Sequence, residues 1–131
     1  MLNQYRKKIK KKLLARLLHG NTVSCNVCNK SFTNFLTYLG RINAQCPNCG
    51  SLERTRLIYR FITDLKLVKP GTKLLHIAPD ACLYHKFDKE LGDNYYPGDK
   101  FEEGYSYPKK TRPMDVTALD FPDETFDGVV C

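Results

Sequence analysis

The first half of this chain has almost no acid. Residues 1–66 hold 2 Asp or Glu against 13 Lys or Arg, a balance of +11. Residues 67–131 hold 12 against 8, a balance of −4, and the whole chain carries +7. A shift this sharp marks a boundary near Lys66–Thr72, where Lys69-Pro70-Gly71 supplies a turn. Long apolar runs are absent too, and no stretch reaches the ~18 residues that a membrane-spanning helix needs. The basic N-terminus lacks the apolar core and the small-residue cleavage site of a signal peptide, so a reducing, cytoplasmic setting is expected. There is no low-complexity tract and no internal repeat beyond two cysteine pairs. That leaves one domain or two small ones in 131 residues.

The two pairs are Cys25-Asn26-Val27-Cys28 and Cys46-Pro47-Asn48-Cys49, a C-x2-C-x17-C-x2-C spacing. Each pair sets two sulfurs on one tight turn, and two turns supply the four thiolates of a closed tetrahedral Zn2+ site. Disulfides or a redox C-x2-C are the alternatives. Cys82 and Cys131 have no obvious partners, which favours free thiols. With all four positions filled by protein, the metal is expected to be structural. It would supply folding free energy that so small a ribbon cannot draw from a core.

Residues 4–19 read as a basic amphipathic helix. Ile9, Leu13, Leu14, Leu17 and Leu18 lie near apolar-face spacing, Arg6, Lys7, Lys8, Lys10, Lys11, Lys12 and Arg16 fill the remainder, and Gly20 is the expected stop. Such a helix can lie on an anionic membrane or on nucleic acid, or simply pack its leucines and leave a solvated basic face. Between the knuckles, Phe32, Phe35, Tyr38 and Leu39 are expected to form a small apolar cluster or a hairpin. Ser51–Leu67 reads as a second helix with Ser51 as N-cap. Its expected buried stripe is Leu52, Leu57, Ile58, Phe61, Ile62 and Leu65.

Beyond Lys73 the pattern alternates. Residues 73–79 look like a buried parallel strand and 80–91 like a helix with Leu83, Phe87 and Leu91 inward. Residues 94–99 follow as a strand, 100–113 as a loop, 114–119 as a third short strand or its exit, and 126–131 as a fourth strand. This is an α/β sheet.

At this point a resemblance enters. Cys46-Pro47-Asn48-Cys49-Gly50-Ser51-Leu52-Glu53-Arg54, then Leu74-Leu75-His76-Ile77-Ala78-Pro79-Asp80, resembles class I S-adenosylmethionine-dependent methyltransferases with an N-terminal zinc ribbon. Residues 114–131, from Met114-Asp115-Val116 to Phe126-Asp127-Gly128-Val129-Val130-Cys131, resemble a later stretch of the same broad class. Thr55 and Asp80 depart from the family's usual His and Glu, and no glycine-rich first turn is present. The resemblance covers roughly residues 20–131; with the helical pattern before it, four parts are expected: a basic helix at 1–20, a zinc ribbon at 21–50, a linking helix at 51–71, and the first half of a Rossmann-like methyltransferase sheet at 72–131.

The resemblance also implies a cofactor site for S-adenosylmethionine. His76, Ile77, Ala78, Pro79 and Asp80 would line its methionine part, Asp99 would hold the ribose hydroxyls, and Asp115 with Val116 would contact adenine. The plainer alternatives are a helix N-cap for Asp80 and turn acids for Asp99 and Asp115. A family sheet has seven strands and this chain supplies about four, so the sequence is expected to be a fragment of a longer protein. No catalytic base is identified; His76 and His85 are the visible candidates, with Glu53 and Arg54 either reaching the pocket or forming a local charge pair.

The function expected on these grounds is methyl transfer to an unidentified acceptor: a sugar, a lipid-linked glycan, a small molecule or RNA. The alternative is a nucleic-acid-binding zinc ribbon that uses Phe32, Phe35, Tyr38 and Arg41. A further option is docking of helix 4–19 on an anionic membrane surface, which would make the protein membrane-peripheral.

Overall fold

The computed structural model describes the backbone from residue 2 to residue 131 and the side chains from residue 9 onward. The basic side chains of Arg6, Lys7 and Lys8 lie outside the described residues. The chain divides into two compact units, Met1–Arg60 and Phe61–Cys131. The division falls inside the second helix, upstream of the Lys69-Pro70-Gly71 turn.

In the first unit, helix α1 (Leu2–Leu17) leads directly into strand β1 (His19–Cys25), which pairs antiparallel with β2 (Lys30–Phe32). Gly20 is therefore not a helix stop but a strand residue at a close approach. A Cβ there would lie 2.6 Å from the Thr33 methyl and 2.9 Å from the Thr33 amide nitrogen. Ile9, Leu13 and Leu17 of α1 are exposed, while Leu14 and Leu18 are half-buried.

A second hairpin joins β3 (Leu36–Tyr38) to β4 (Arg41–Gln45). Leu39 and Gly40 both take positive φ, +47° and +78°, the backbone of a tight hairpin turn whose twist matches its strands. The hairpin and the apolar cluster thus coexist. Phe32 and Phe35 are buried with ring centroids 6.2 Å apart, whereas Leu39 is 84% exposed at the turn and stays outside the cluster.

Helix α2 spans Glu53–Asp64. Of its expected buried stripe, Ile62 is buried, Leu52 and Ile58 are half-buried, and Leu57, Phe61 and Leu65 are exposed. Helical spacing groups these residues on one side but does not dictate what covers them. Arg56 ties the start of α2 to the ribbon. Its guanidinium lies 4.2 Å from the Phe35 ring centroid and donates to the carbonyls of Ala44 (3.0 Å) and Ser51 (2.7 Å).

The second unit is a four-stranded, all-parallel sheet in the order β7-β6-β5-β8, made of β5 (Leu74–Ile77), β6 (Tyr95–Asp99), β7 (Arg112–Pro113) and β8 (Gly128–Val130). Helix α3 (Ala81–Leu91) and a single 3-10 turn carry the chain from β5 to its parallel neighbour β6. The third strand is Arg112–Pro113, and residues 114–119 are its exit, a turn rather than a strand. The mixed α/β class expected from the alternation is present.

Successive residues on a strand face opposite sides. Tyr95 and its neighbour His76 therefore meet α3, with His76 in edge contact with Phe87 (centroids 5.7 Å) and Tyr95 in edge contact with Tyr84 (5.6 Å). Leu83, Tyr84, Phe87 and Leu91 are the buried side of α3, as the spacing of three of them requires. On the opposite sheet face Tyr96 meets Phe121 and Phe126 from the segment before β8. No helix among the described residues is long and apolar enough to cross a membrane.

Candidate metal centre and the carboxyl edge of the sheet

Each knuckle is a turn closed by the backbone. The Asn29 amide donates to the Cys25 carbonyl (2.8 Å), and the Gly50 amide donates to the Cys46 carbonyl (2.9 Å). Gly50 takes φ +84°, which a side chain would resist. These turns bring four sulfurs to within 4.8 Å of one another. Cys25 Sγ is 3.6 Å from Cys49 Sγ, and Cys28 Sγ is 3.8 Å from Cys46 Sγ. A tetrahedral ion with ~2.3 Å bonds to sulfur has edges of about 3.8 Å, so the cluster has the size such an ion demands. The spacing is far beyond a disulfide's ~2.05 Å, and all six cysteines are free thiols.

Electrostatics also suit a cation. The Cys25 thiol is pulled down to about 6, first by hydrogen bonding with Cys28 and then with Cys46. Cys28 is pushed up, chiefly by Cys25, and Cys46 is pushed up by Cys25, Cys28 and Cys49. Negative charge gathered on four close sulfurs is offset by a cation between them.

Ser51 belongs to this centre. It is 1% exposed, and its hydroxyl lies 3.3 Å from Cys25 Sγ and 3.2 Å from Cys49 Sγ. Its carbonyl accepts from the Cys46 amide (2.9 Å) and from Arg56. A hydroxyl placed between two sulfurs can donate to either thiolate and fix its lone pairs, as second-shell donors do. The sequence suggested a helix N-cap because Ser before a helix has that habit. The pull of the sulfurs decides otherwise. Glu53 pairs with Arg41 across 3.3 Å rather than with Arg54.

The other predicted residues lie at the carboxyl ends of the parallel strands. The Ala78 amide donates to the Gly98 carbonyl (2.8 Å), and the Met114 amide donates to the Asp99 carbonyl (2.9 Å). The exits of β5, β6 and β7 are thereby laced together, with Ile77–Asp80, Asp99 and Asp115–Val116 along one edge. Ala78 takes φ +47°, a left-handed conformation that normally asks for glycine. The glycine missing from this turn is thus replaced by an alanine holding a glycine's backbone.

Each acid has local partners. Asp80 caps α3, its Oδ1 accepting from the Leu83 amide (3.2 Å) and the Cys82 thiol (2.8 Å). Asp99 Oδ1 accepts from the Lys100 amide (2.7 Å). Asp115 Oδ1 accepts from the Thr117 hydroxyl (2.7 Å) and amide (2.9 Å), and these bonds hold its pKa below the usual carboxylate value. A carboxylate offers about four acceptor positions, so capacity for a ligand remains at Asp99 and Asp115. A groove between α1 and the first hairpin, and a cleft of about 370 Å³ lined by Leu75, Phe121 and Val129 among others, include none of these residues.

His76 turns its ring away from that edge into the core. It is buried, and Nδ1 lies 2.9 Å from the Tyr95 hydroxyl. Its backbone, not its imidazole, faces the strand exit, which leaves the ring unsuited to act as a base on an external substrate. Desolvation holds its pKa down to about 4, against the opposing pull of Asp80. A histidine in the unfolded chain ionises near pH 6.5. Between those values the unfolded chain takes up a proton that the fold refuses. The stability contributed by the neutral ring is complete above pH ~6.5 and falls by about 3 kcal/mol as the pH drops to ~4. Urea unfolding followed by tyrosine fluorescence between pH 7 and 4.5 is expected to show this loss. His76→Gln should flatten it; an equal slope in the variant would refute a buried neutral ring. His85, the other candidate base, is exposed on α3.

Compared with known proteins, the chain matches no family model, no curated protein and no solved structure.

Proposed function

We propose that the second unit is the nucleotide-binding half of an S-adenosylmethionine-dependent methyltransferase and that the four thiols hold a structural Zn2+. The observation carrying the first part is the strand order. An all-parallel β7-β6-β5-β8 sheet runs third, second, first, fourth in chain order, the arrangement of a Rossmann-like half. In such sheets ligands bind beyond the carboxyl ends of the strands, where the order reverses. Here that point lies beyond β5, at the left-handed Ala78 turn and the start of α3.

The residues at that edge fit the chemistry. The backbone from Ile77 to Asp80 offers polar groups beside the amino end of α3, Asp99 offers a carboxylate to two ribose hydroxyls, and Asp115 with the exposed Val116 offers an acceptor and an apolar surface to adenine. The sulfonium of the bound cofactor activates its own methyl group. What remains for the chain is to bind and orient, and no base is required for every acceptor. The resemblance of Cys46–Arg54, Leu74–Asp80 and Met114–Cys131 to the zinc-ribbon methyltransferases supports the same reading.

Titration calorimetry with S-adenosylmethionine and S-adenosylhomocysteine tests it, on this chain and on the longest product of its reading frame. One site is expected, shared by both compounds. Asp99→Asn should weaken it by roughly tenfold or more, the worth of a charge-assisted hydrogen bond. Heat from neither compound in either protein would reject the proposal.

A further inference from the structure

Residues 1–60 contain one acid, Glu53, and that carboxylate is paired with Arg41. The cations of this unit therefore have little to neutralise them from within. They are not spread evenly. A groove of about 930 Å³ opens between α1 and the first hairpin, and Lys12, Arg16, His19 and Lys30 line it with no described carboxylate among its walls. Ile9 and Leu13 give it an apolar side, and the exposed amides of Asn21 and Asn29 flank it.

We propose that this groove binds single-stranded nucleic acid. Three permanent cations along one concavity match a phosphodiester backbone, which carries one charge per nucleotide. Amide side chains offer donor and acceptor together, which suits base edges exposed in an unpaired strand. The concavity provides no protruding element of the kind that reads a duplex groove. Ile9, Leu13 and Leu17 are all exposed at i, i+4 spacing on α1, so an anionic bilayer is the rival occupant that the vesicle arm of the test addresses. Of the aromatic residues between the knuckles, Phe32 and Phe35 offer no open ring to a base. Both are buried, and Arg41 is held by Glu53 and lies 5.8 Å from the Tyr38 ring centroid. The proposal does not depend on methyl transfer, and its test leaves the second unit untouched.

The groove runs beside both knuckles. Asn29 and Lys30 follow Cys28 directly, and Lys30 Nζ donates to Oδ1 of Asn48, between Cys46 and Cys49 (3.1 Å). Its shape thus depends on the same turns that gather the thiols.

Fluorescence anisotropy of a labelled oligouridylate of about 12 nucleotides, added to the zinc-loaded chain over a series of salt concentrations, tests this. Three phosphate contacts predict a slope of about −2 for log K against log salt. Arg16→Gln with Lys30→Gln should lower affinity by roughly tenfold and make the slope shallower by about 1.4. Lys10→Gln with Arg54→Gln removes the same charge outside the groove and should change little, while Lys30→Arg should retain binding. Circular dichroism and zinc content confirm that each variant is folded. Equal losses in the two double variants would overturn the proposal. So would binding to phosphatidylcholine vesicles containing phosphatidylserine without binding to the oligonucleotide.

Discussion

Chelating the metal is expected to unfold the ribbon, with a larger effect than any single substitution outside it. A structural Zn2+ in a site of this kind carries an apparent ~10–16 kcal/mol of binding free energy at neutral pH. Whole domains retain only ~5–15 kcal/mol against unfolding. Nothing else in the ribbon approaches that contribution: its strands are 3 to 7 residues long, and its apolar core is chiefly Val27, Phe32, Phe35 and Ala44. The clearest readout is thiol chemistry. With metal bound, Cys82 and Cys131 should react with a chromogenic disulfide, and the four thiols held by the ion should not. After chelation all six thiols should react, with about one zinc released per chain. Cys46→Ser should reproduce the loss, since the remaining three sulfurs leave the ion incompletely held. Unreactive thiols and an unchanged spectrum after complete metal removal would mean that the ribbon folds without an ion.

The second large effect is expected at Phe87. Its side chain is 0% exposed and lies in ring contact with His76 and with Tyr95, at centroid distances of 5.7 and 6.0 Å. Truncation to alanine removes the whole ring from between helix and sheet, and such cavities cost about 3–5 kcal/mol. The cost extends beyond packing. The His76–Tyr95 hydrogen bond is buried beneath the same ring, so a cavity there admits water to two polar groups that the fold keeps dry. Phe87→Leu, which retains most of the volume, should lose much less. The chain has no tryptophan, so tyrosine fluorescence follows urea unfolding, with Tyr84 and Tyr95 of its eight tyrosines in this cluster. A loss below about 1 kcal/mol for the alanine variant would mean that the helix–sheet contact is looser than the geometry indicates.

The features that the sequence discloses are those in which one residue type has one dominant use. Cysteine in two C-x2-C turns at this spacing has few other arrangements open to it, and the four sulfurs do converge. Leu83, Phe87 and Leu91 recur at helical spacing beside a strand that is buried at Leu74, Leu75 and His76, and α3 lies where that pattern puts it. The features that stay hidden involve residues with several uses. Ser51 can cap a helix or donate to sulfur, and only proximity to Cys25 and Cys49 decides. Gly20 can stop a helix or admit a neighbour, and the neighbour, Thr33, comes from across the hairpin. Leu57, Phe61 and Leu65 share a helical side whether or not anything covers them. The basic groove leaves no sequence signature, because it joins α1 to residues 29–32 and 48, which only the fold brings together.

The two units also differ in how far along the chain their partners lie. The thiols are complete once residue 49 has been made. The central strand β5 waits much longer for one of its two neighbours: Lys73 bonds to Asp127, 54 residues downstream, and only then does β8 close its flank. During synthesis the ribbon can therefore fold while β5 still has an open side. Such non-local pairing is slow, and an unpaired buried strand is the part of a nascent chain most exposed to wrong partners. For this protein the hazardous interval lies between the emergence of Ile77 and that of Val130. The early-formed cysteine cluster does nothing to shorten it.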